Sequence, residues 1–594
     1  MGDGVLSLAS LKAPEADKSE YQFDARLFRR IWRLAKPYYA RKGAWLPGLA
    51  MLAIFSSLPV AGAVGVHFSF VAKDLTNALI AKQSSAYGLL FWRFALLSAV
   101  LALVQVGMGF VEGWLQQNWR RWLTMHLVDQ YLAKRTYYDI ALLGDLDNPD
   151  QRIQGNVSAF ITMIVQLPRL FLLNIVWMIG GIYILMSISR AMVPVALGFG
   201  IAQAVVTYYT SVPTIRKYFN ITLAEADLRY GILHVRDHAE AVAFYSGEAA
   251  ERVHIAGRLQ TLIKRHINLL YYTAFVITGS SQVMNSLLSI FPYLILVPVY
   301  LAGHLSYGSV AQAVMAVTLI LNAINQVAAF IPIMAAAAPQ AIRLAQIQER
   351  FQLMEAGRTG LSYPQLEITR TADCVHMTRV TLETPGGEQT LVRNLSLTLR
   401  AGEHLVIAGQ TGVGKSSLLR AMGGLWTRGH GVLEMPPATE CLFLPQKPYM
   451  VLADLRSQLL YPHGDAAMDD AKLQAILEAV SLPDLAEKYG GLDAVRDWSK
   501  VLSLGEQQRI GFARILISRP RYVFVDEATS AVDLATEARL YQVLRDAGAT
   551  FVSVGHRQSI LDYHAHMLTL FPGGTWTLGP VTDTSGEDSR RLLA

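Results

Sequence analysis

Along this chain, long stretches without charge alternate with stretches where basic residues gather. No Asp, Glu, Lys or Arg occurs from Ala44 to Ala72, from Phe94 to Val111, from Leu170 to Ser189 or from Ala191 to Ile215. A further charge-free region, His266 to Ile342, is too long for one helix, and the turn-forming run Ala302-Gly303-His304-Leu305-Ser306-Tyr307-Gly308 divides it. Crossing a hydrocarbon core takes roughly 20 apolar residues in a helix. The pattern therefore predicts six membrane spans, near residues 44–72, 90–114, 167–189, 191–212, 278–301 and 310–334.

Before the first span, residues 23–39 set Leu27, Phe28, Ile31, Trp32 and Leu34 against Arg26, Arg29, Arg30, Arg33 and Lys36, a pattern suited to a helix lying in the lipid interface. Residues 1–22 are polar, lack the pattern of a cleaved signal peptide and read as a cytoplasmic tail. The whole of residues 23–342 reads as a transmembrane domain. After it, residues 343–369 form a charged helical linker punctuated by Pro364, and residues 370–594 change to the short apolar runs and turns of a soluble α/β domain.

Charge orients the spans. Arg29, Arg30, Arg41 and Lys42 precede span one; Arg120, Arg121, Lys134 and Arg135 lie between spans two and three; Arg216, Lys217, Arg229, Arg236, Lys264 and Arg265 lie between four and five. Basic residues concentrate on the cytoplasmic side, so both termini are expected there. The long cytoplasmic connections carry on the helical pattern, which suggests spans projecting beyond the bilayer. Two segments stand out in them: Asp147-Asn148-Pro149-Asp150-Gln151-Arg152, a helix stop and restart, and the stretch from Glu225 to Gly247 that includes Arg229 and Glu240.

Composition agrees with a membrane protein: of 594 residues, 52% are hydrophobic and 16% charged. The net charge of +6 flanks apolar spans rather than forming one patch with interleaved aromatics, which argues against nucleic acid as a partner. Cys374 and Cys441 have neither disulfide nor zinc-ligand spacing.

The chemistry lies in the soluble domain. Gly409-Gln410-Thr411-Gly412-Val413-Gly414-Lys415-Ser416 follows the apolar run His404–Ala408 and leads, through Ser417, into a helical run. This is a phosphate-binding loop of the Walker A pattern. Its glycines let backbone N–H groups and a helix N-terminus point at a triphosphate, Lys415 reaches the outer phosphates, and the Ser416 hydroxyl can ligate Mg²⁺. About a hundred residues on, the apolar strand Arg521–Val525 ends in Asp526 and Glu527. Asp526 can hold the Mg²⁺, and Glu527 can polarise the water that attacks the γ-phosphate.

These motifs do not stand alone. Leu502-Ser503-Leu504-Gly505-Glu506-Gln507-Gln508-Arg509, Gln446 in Leu444-Pro445-Gln446-Lys447-Pro448-Tyr449, Ser530-Ala531-Val532-Asp533 and His556 in Gly555-His556-Arg557 resemble, in the family's order, the signature, Q-loop, D-loop and switch histidine of an ATP-binding cassette half-transporter. The resemblance implies a six-helix, all-α, type IV exporter-like transmembrane domain joined to a cytosolic α/β nucleotide-binding domain, with ATP and Mg²⁺ as its cofactors. It implies a homodimer in which Ser503, Gly505 and Glu506 of one chain face the ATP held by the other's phosphate loop. Gln446 would sense Mg²⁺ and the attacking water, and His556 would hold the γ-phosphate and Glu527.

Gly423-Gly424-Leu425-Trp426, Asn148-Pro149-Asp150-Gln151 and the Glu225–Gly247 segment resemble subfamily D and its bacterial SbmA/BacA-like relatives. That makes Asn148, Pro149, Asp150, Gln151, Glu225, Arg229 and Glu240 expected coupling residues, and a bacterial inner membrane the expected location. Such relatives carry peptides, peptide-like antibiotics or cobalamin, often inward, whereas the peroxisomal ones carry fatty acyl-CoA. An ATP-gated channel or regulator is the alternative of another class; the presence of both Glu527 and His556 speaks for turnover. Polar span residues, among them Gln105, Arg169, Asn174, Gln203, Gln282, Asn285, Asn322, Asn325 and Gln326, are expected in the bundle interior, lining a pathway or joining helices. Two departures from the family pattern stand out: Leu504 replaces the commonest signature glycine, and Thr384 stands where an aromatic usually stacks on adenine.

Overall fold

A computed structural model describes residues 25–143, 146, 149–355, 364–384, 387–463, 468–555 and 557–581. The expected tail at residues 1–22, Asn148 and His556 lie outside the described residues. Contacts divide the chain into two compact units, Met1–Gly360 and Leu361–Ala594.

The described residues of the first unit are organised as helices joined by short turns. Helix α1 (Ala25–Ala40) precedes α2 (Trp45–Ile80) and α3 (Ser84–Leu132). Short helices α4 (Thr136–Leu143) and α5 (Pro149–Gln151) lead through a π-helical turn, Arg152–Asn156, into α6 (Val157–Ile188). Then follow α7 (Met192–Asp237), α8 (Ala239–Phe244), α9 (Glu248–Tyr271), α10 (Gly279–Leu301) and α11 (Tyr307–Glu355). Among the described residues, six helical segments are long and apolar enough to cross a membrane: Trp45–Ile80, Ser84–Leu142, Pro149–Ile188, Met192–Asp237, Glu248–Leu301 and Tyr307–Gln326.

The helices outrun their apolar cores. Both α3 and α11 have 49 residues, and at 1.5 Å per residue such a helix measures about 74 Å against roughly 30 Å of hydrocarbon. Residues 343–355, where the charged helical linker of the sequence reading begins, are the last turns of α11, and Leu344, Ala345, Ile347 and Phe351 are buried in the same core as Leu34, Trp119 and Phe160. The π-turn at Arg152 is likewise tied inward, its guanidinium donating to the Arg343 carbonyl and to Gln346 Oε1, both at 2.9 Å.

Helix α1 is clamped rather than free in the interface. Tyr38 stacks on Trp119 with ring centroids 4.6 Å apart, Arg41 sits over Tyr38, and Arg30 pairs with the nearly buried Glu349 at 3.0 Å. Trp32, on the opposite face, is left exposed. Of the polar span residues, Gln203 donates to Asn285 at 3.0 Å and Asn174 bonds back to its own helix at Leu170. Gln105, Gln282, Asn322 and Gln326 are exposed on the single chain.

The second unit carries two sheets. One orders its strands β1 (Glu367–Thr369), β5 (Gly429–Glu434), β2 (Val375–Glu383) and β3 (Thr390–Leu399) side by side in the sequence β1-β5-β2-β3. The other comprises β4 (Leu405–Gly409), β6 (Cys441–Leu444), β7 (Tyr522–Asp526), β8 (Thr550–Val554), β9 (His566–Leu570) and β10 (Trp576–Pro580), ordered β10-β9-β4-β8-β7-β6. All of its pairings are parallel except β9 with β10. A parallel sheet is covered on both faces, so its strands are continuous apolar runs; all five residues of β4 and of β8 are buried. Helix α12 (Lys415–Met422) follows β4. Helices α13 (Leu455–Leu460), α14 (Asp470–Ala479), α15 (Leu485–Tyr489), α16 (Trp498–Val501), α17 (Leu504–Ser518) and α18 (Leu534–Asp546) complete the unit. Leu477, Trp498, Phe512 and Leu544 from these helices share one core with Val406 and Val525 of the sheet.

Candidate functional site

The strand order places the site. In an open parallel sheet ligands gather at the carboxyl ends of strands, and β4, β8, β7 and β6 are consecutive neighbours. Their carboxyl ends carry, in that row, the Gly409–Ser416 loop, Gly555, the Asp526–Glu527 pair and the segment containing Gln446. Motifs far apart in sequence thus become adjacent because four strands pair.

Within the loop, Gly414 has φ +108, in the left-handed region, and a Cβ there would lie 3.0 Å from Leu391 Cβ. Lys415 opens α12 and is buried, its ammonium donating to the Gly409 carbonyl at 2.6 Å and the Gln410 carbonyl at 3.0 Å. Burial pulls its pKa below the usual lysine range, with Glu527 and Asp526 acting in the opposite sense. Ser416 Oγ donates to Asp526 Oδ1 at 2.9 Å. Burial in turn pushes the Asp526 carboxyl above its ordinary range, against the Ser416 hydrogen bond. Gln446 Nε2 donates to Glu527 Oε2 at 3.0 Å. The structure therefore brings Lys415, Ser416, Asp526, Glu527 and Gln446 into one constellation. Gln410, Thr411, Gly412 and Val413 complete the loop, and Ser417 follows in the first turn of α12.

The oxygen donors here suit Mg²⁺, a hard cation that favours carboxylate, hydroxyl and amide oxygens. Among the described residues no group of three or more His, Cys, Asp or Glu side chains stands ready for a metal, so the ion would share its coordination with phosphate oxygens.

The signature segment begins α17. Ser503 is its N-cap and forms a capping box with Glu506: Glu506 N–H donates to Ser503 Oγ at 3.3 Å, and Ser503 N–H to Glu506 Oε2 at 2.8 Å. Leu504, the departure from the family pattern, occupies the first helical position and leaves the cap intact. Gly505 permits a close approach, because a Cβ there would lie 2.7 Å from the Ala531 carbonyl oxygen.

Two residues that the motif reading passes over tie the site together. Gln508, fully buried, donates from Nε2 to the Gln446 carbonyl at 2.9 Å and to Ser530 Oγ at 3.2 Å, and accepts from Ala531 N–H at 3.0 Å. Arg557 donates to the Val532 and Ser530 carbonyls at 2.8 and 2.9 Å and pairs with the buried Glu537 at 3.4 Å. Both sit next to recognised motif residues, and that adjacency was the available signal.

Thr384 lies at the turn after β2, where its N–H donates to the Gln389 carbonyl at 2.9 Å. The nearby Trp426 indole N–H is committed to the Glu383 carbonyl at 2.9 Å. The expected coupling residues lie in the helical unit: Pro149, Asp150 and Gln151 form α5; Glu225 and Arg229 lie on α7, Glu225 3.6 Å from His266; Glu240 lies on α8, whose neighbours Phe244 and Tyr245 are strongly exposed.

Residues 42–301 match the family described as ABC transporter transmembrane region 2, and residues 392–530 match ABC transporter. The chain is 38% identical over 547 residues to an uncharacterized ABC transporter ATP-binding protein of Synechocystis sp., covering 91% of this chain and 82% of the relative. It is 31% identical over 498 residues to the human lysosomal cobalamin transporter ABCD4, covering 78% and 81%. To ABC transporter D family member 2, chloroplastic, of Arabidopsis thaliana it is 28% identical over 635 residues, covering 95% and 89%.

Proposed function

This chain belongs to the ABC transporter family, and we propose that it works as a homodimer coupling ATP hydrolysis to the inward movement of a hydrophilic, peptide-like or cobalamin-like solute across a bacterial inner membrane. The observation that carries the reading is the convergence of Ser416 with Asp526 at 2.9 Å and of Gln446 with Glu527 at 3.0 Å, on adjacent strand ends beside a buried lysine. A solute of this class is supported by one relative, the human lysosomal cobalamin transporter ABCD4.

The geometry around Ser416, Asp526, Gln446 and Glu527 supports the following roles. The Gly409–Ser416 backbone and Lys415 bind the phosphates; Ser416 and Asp526, with Gln446 nearby, would hold Mg²⁺, which supplies neutralisation of phosphate charge. Glu527 takes a proton from the attacking water, and Gln446 orients its carboxylate. His556 is assigned to the γ-phosphate and Glu527. Ser503, Gly505 and Glu506 serve the partner's nucleotide, and Pro149, Asp150, Gln151, Glu225, Arg229, Glu240 and Asn148 carry the site's closure to the spans. Both termini are assigned to the cytoplasm.

The test is uptake into proteoliposomes containing the purified chain, with a panel of short peptides, cobalamin and a fatty acyl-CoA. Uptake of a peptide or cobalamin that requires ATP supports the reading. Transport of acyl-CoA alone would replace its substrate, and hydrolysis with no solute moved would overturn it.

A further inference from the structure

Two charges border charge-free runs in α3 and α6. Glu112 follows the charge-free stretch Phe94–Val111, and Arg169 precedes Leu170–Ser189. Arg169 Nη1 donates to Glu112 Oε2 at 2.6 Å, and Gln116 Nε2 donates to Glu112 Oε1 at 3.3 Å. The Glu112 side chain is only 7% exposed and that of Arg169 20%. A pair so far removed from water gives up hydration that its attraction scarcely offsets, so apolar residues of like volume would hold the helices as well. Ionisable groups within spans characteristically face a cavity that uses them.

Such a cavity is present. It measures about 320 Å³, and Gly109, Gly113, Gln116, Gln166 and Leu170 wall it around the pair. A Cβ placed on Gly109 or Gly113 would meet no atom within 4 Å, so that wall is open space rather than packing. The volume falls at the lower end of small-ligand sites, roughly 300–1,000 Å³. It has room for the end of a solute.

We propose that this cavity binds the zwitterionic end groups of the transported solute, a short peptide-like molecule, with Glu112 receiving its ammonium and Arg169 its carboxylate. The inference rests on the transporter reading above. One anion and one cation on a single wall match a ligand that carries both. As the ligand enters, each side chain exchanges its present partner for a ligand charge, so neither is left bare in a dry setting. A polyanion such as an acyl-CoA would be repelled by Glu112, and an uncharged chain would leave the pair unused. The amides of Gln116 and Gln166 supply the donors and acceptors that a peptide bond requires.

The test is equilibrium dialysis of radiolabelled trialanine against the purified full-length chain, with competition by unlabelled trialanine and by its N-acetylated, C-amidated form. The free peptide is expected to compete at least about tenfold better than the blocked one. Gly113→Leu, which places a side chain into the cavity, is expected to weaken trialanine binding by about tenfold or more. Glu112→Gln with Arg169→Gln is expected to bring free and blocked peptides within about twofold of each other. ATP binding by the same preparations verifies folding; should the neutral pair not fold, the exchange Glu112→Arg with Arg169→Glu retains a pair and is expected to retain the preference for free ends. Equal competition by both peptides, undiminished binding in Gly113→Leu, or no trialanine binding by an ATP-binding parent would overturn the proposal. A chain that moves a solute without preferring free ends sinks this site and leaves the transporter reading standing.

Discussion

Gln446 donates a hydrogen bond to Glu527 across 3.0 Å, although 81 residues separate them. The contact exists because β6 and β7 pair in parallel with Leu444 opposite Val525, which brings the two strand exits side by side. Glu527 adopts φ +49, a left-handed conformation unusual for a residue with a Cβ, and its N–H is held by the Val554 carbonyl at 3.0 Å. Backbone strain of this kind persists where the surroundings over-determine it, characteristically at functional sites. The carboxylate proposed as base is thus fixed from three strands, and changes at its supports should reach the chemistry.

Gln508 is the first such support. Its contacts are Gln446, Ser530, Ala531 and, at 3.5 Å, the Glu527 carbonyl, so it acts through other residues and is a positioning residue. Gln508→Ala is expected to lower the maximal hydrolysis rate roughly 10- to 100-fold, the range that small misplacements cause. The KM for ATP should move by less than about threefold, because the phosphate loop is untouched. Steady-state kinetics decide it: a change confined to KM would assign Gln508 to nucleotide binding instead.

The composite site predicts complementation between chains. One subunit carrying Lys415→Ala and another carrying Ser503→Arg together make one site with both lesions and one with none. In an equal mixture, activity is expected at about a quarter of the parent's, since half the dimers hold one intact site. Either variant alone should be nearly inactive. A mixture no better than the single variants, or a fully active monomer, would refute the shared site.

Thr384 bears on base selectivity. Threonine has no π-face, and a stacked base is worth roughly 1–3 kcal/mol on aromatic platforms that bind nucleic acid. GTP is therefore expected to support hydrolysis within about tenfold of ATP. Thr384→Tyr should tighten ATP binding with little effect on maximal rate, since it would hold ground state and transition state alike. A hundredfold preference for ATP in competition binding would mean that another residue reads the adenine.

His564 predicts an acid-sensitive nucleotide domain. Its Nδ1–H donates to the Ile560 carbonyl at 2.7 Å, while Nε2 accepts from Ser553, which in turn accepts from Tyr541 at 3.2 Å. Burial pushes its pKa down to about 4, with His404 and Arg545 acting the same way against the Ile560 hydrogen bond. In the unfolded chain the ring titrates near 6.5, so between those values only the unfolded state takes up the proton. Stability from the neutral ring is complete above pH 6.5 and is lost as pH falls toward 4, by about 3 kcal/mol at most. Thermal unfolding of the full chain at pH 7 and pH 5 checks this: His564→Gln should flatten the difference, and an unchanged difference would place the acid sensitivity elsewhere.

What the sequence discloses and what it hides divide along locality. The six spans follow from runs such as Ala44–Ala72 that leave no other solution in lipid, and the Gly409–Ser416 loop is a local pattern whose residues act together because they are consecutive. The hub at Gln508 and the bridges from Arg557 depend on which strands pair and which helix crosses them, and no spacing encodes that. The Glu112–Arg169 contact joins two helices 57 residues apart. Arg169 alone reads as a polar span residue, and Glu112 reads as a boundary. The burial of Leu344, Ala345, Ile347 and Phe351 against Leu34 and Trp119 is likewise a matter of which helices meet, which no spacing in residues 343–355 encodes.

The account stands most directly on Glu527 and on the coupling of its chemistry to transport. The measurement is ATP hydrolysis and solute uptake, side by side, in proteoliposomes bearing the parent chain or Glu527→Gln. The amide keeps size and hydrogen bonding but cannot take the proton, so hydrolysis should fall roughly 10²- to 10⁴-fold while ATP still binds. Uptake should fall with it. Hydrolysis within about twofold of the parent would remove Glu527 as the base, and uptake that continues in Glu527→Gln at the parent's rate would contradict ATP-driven transport itself.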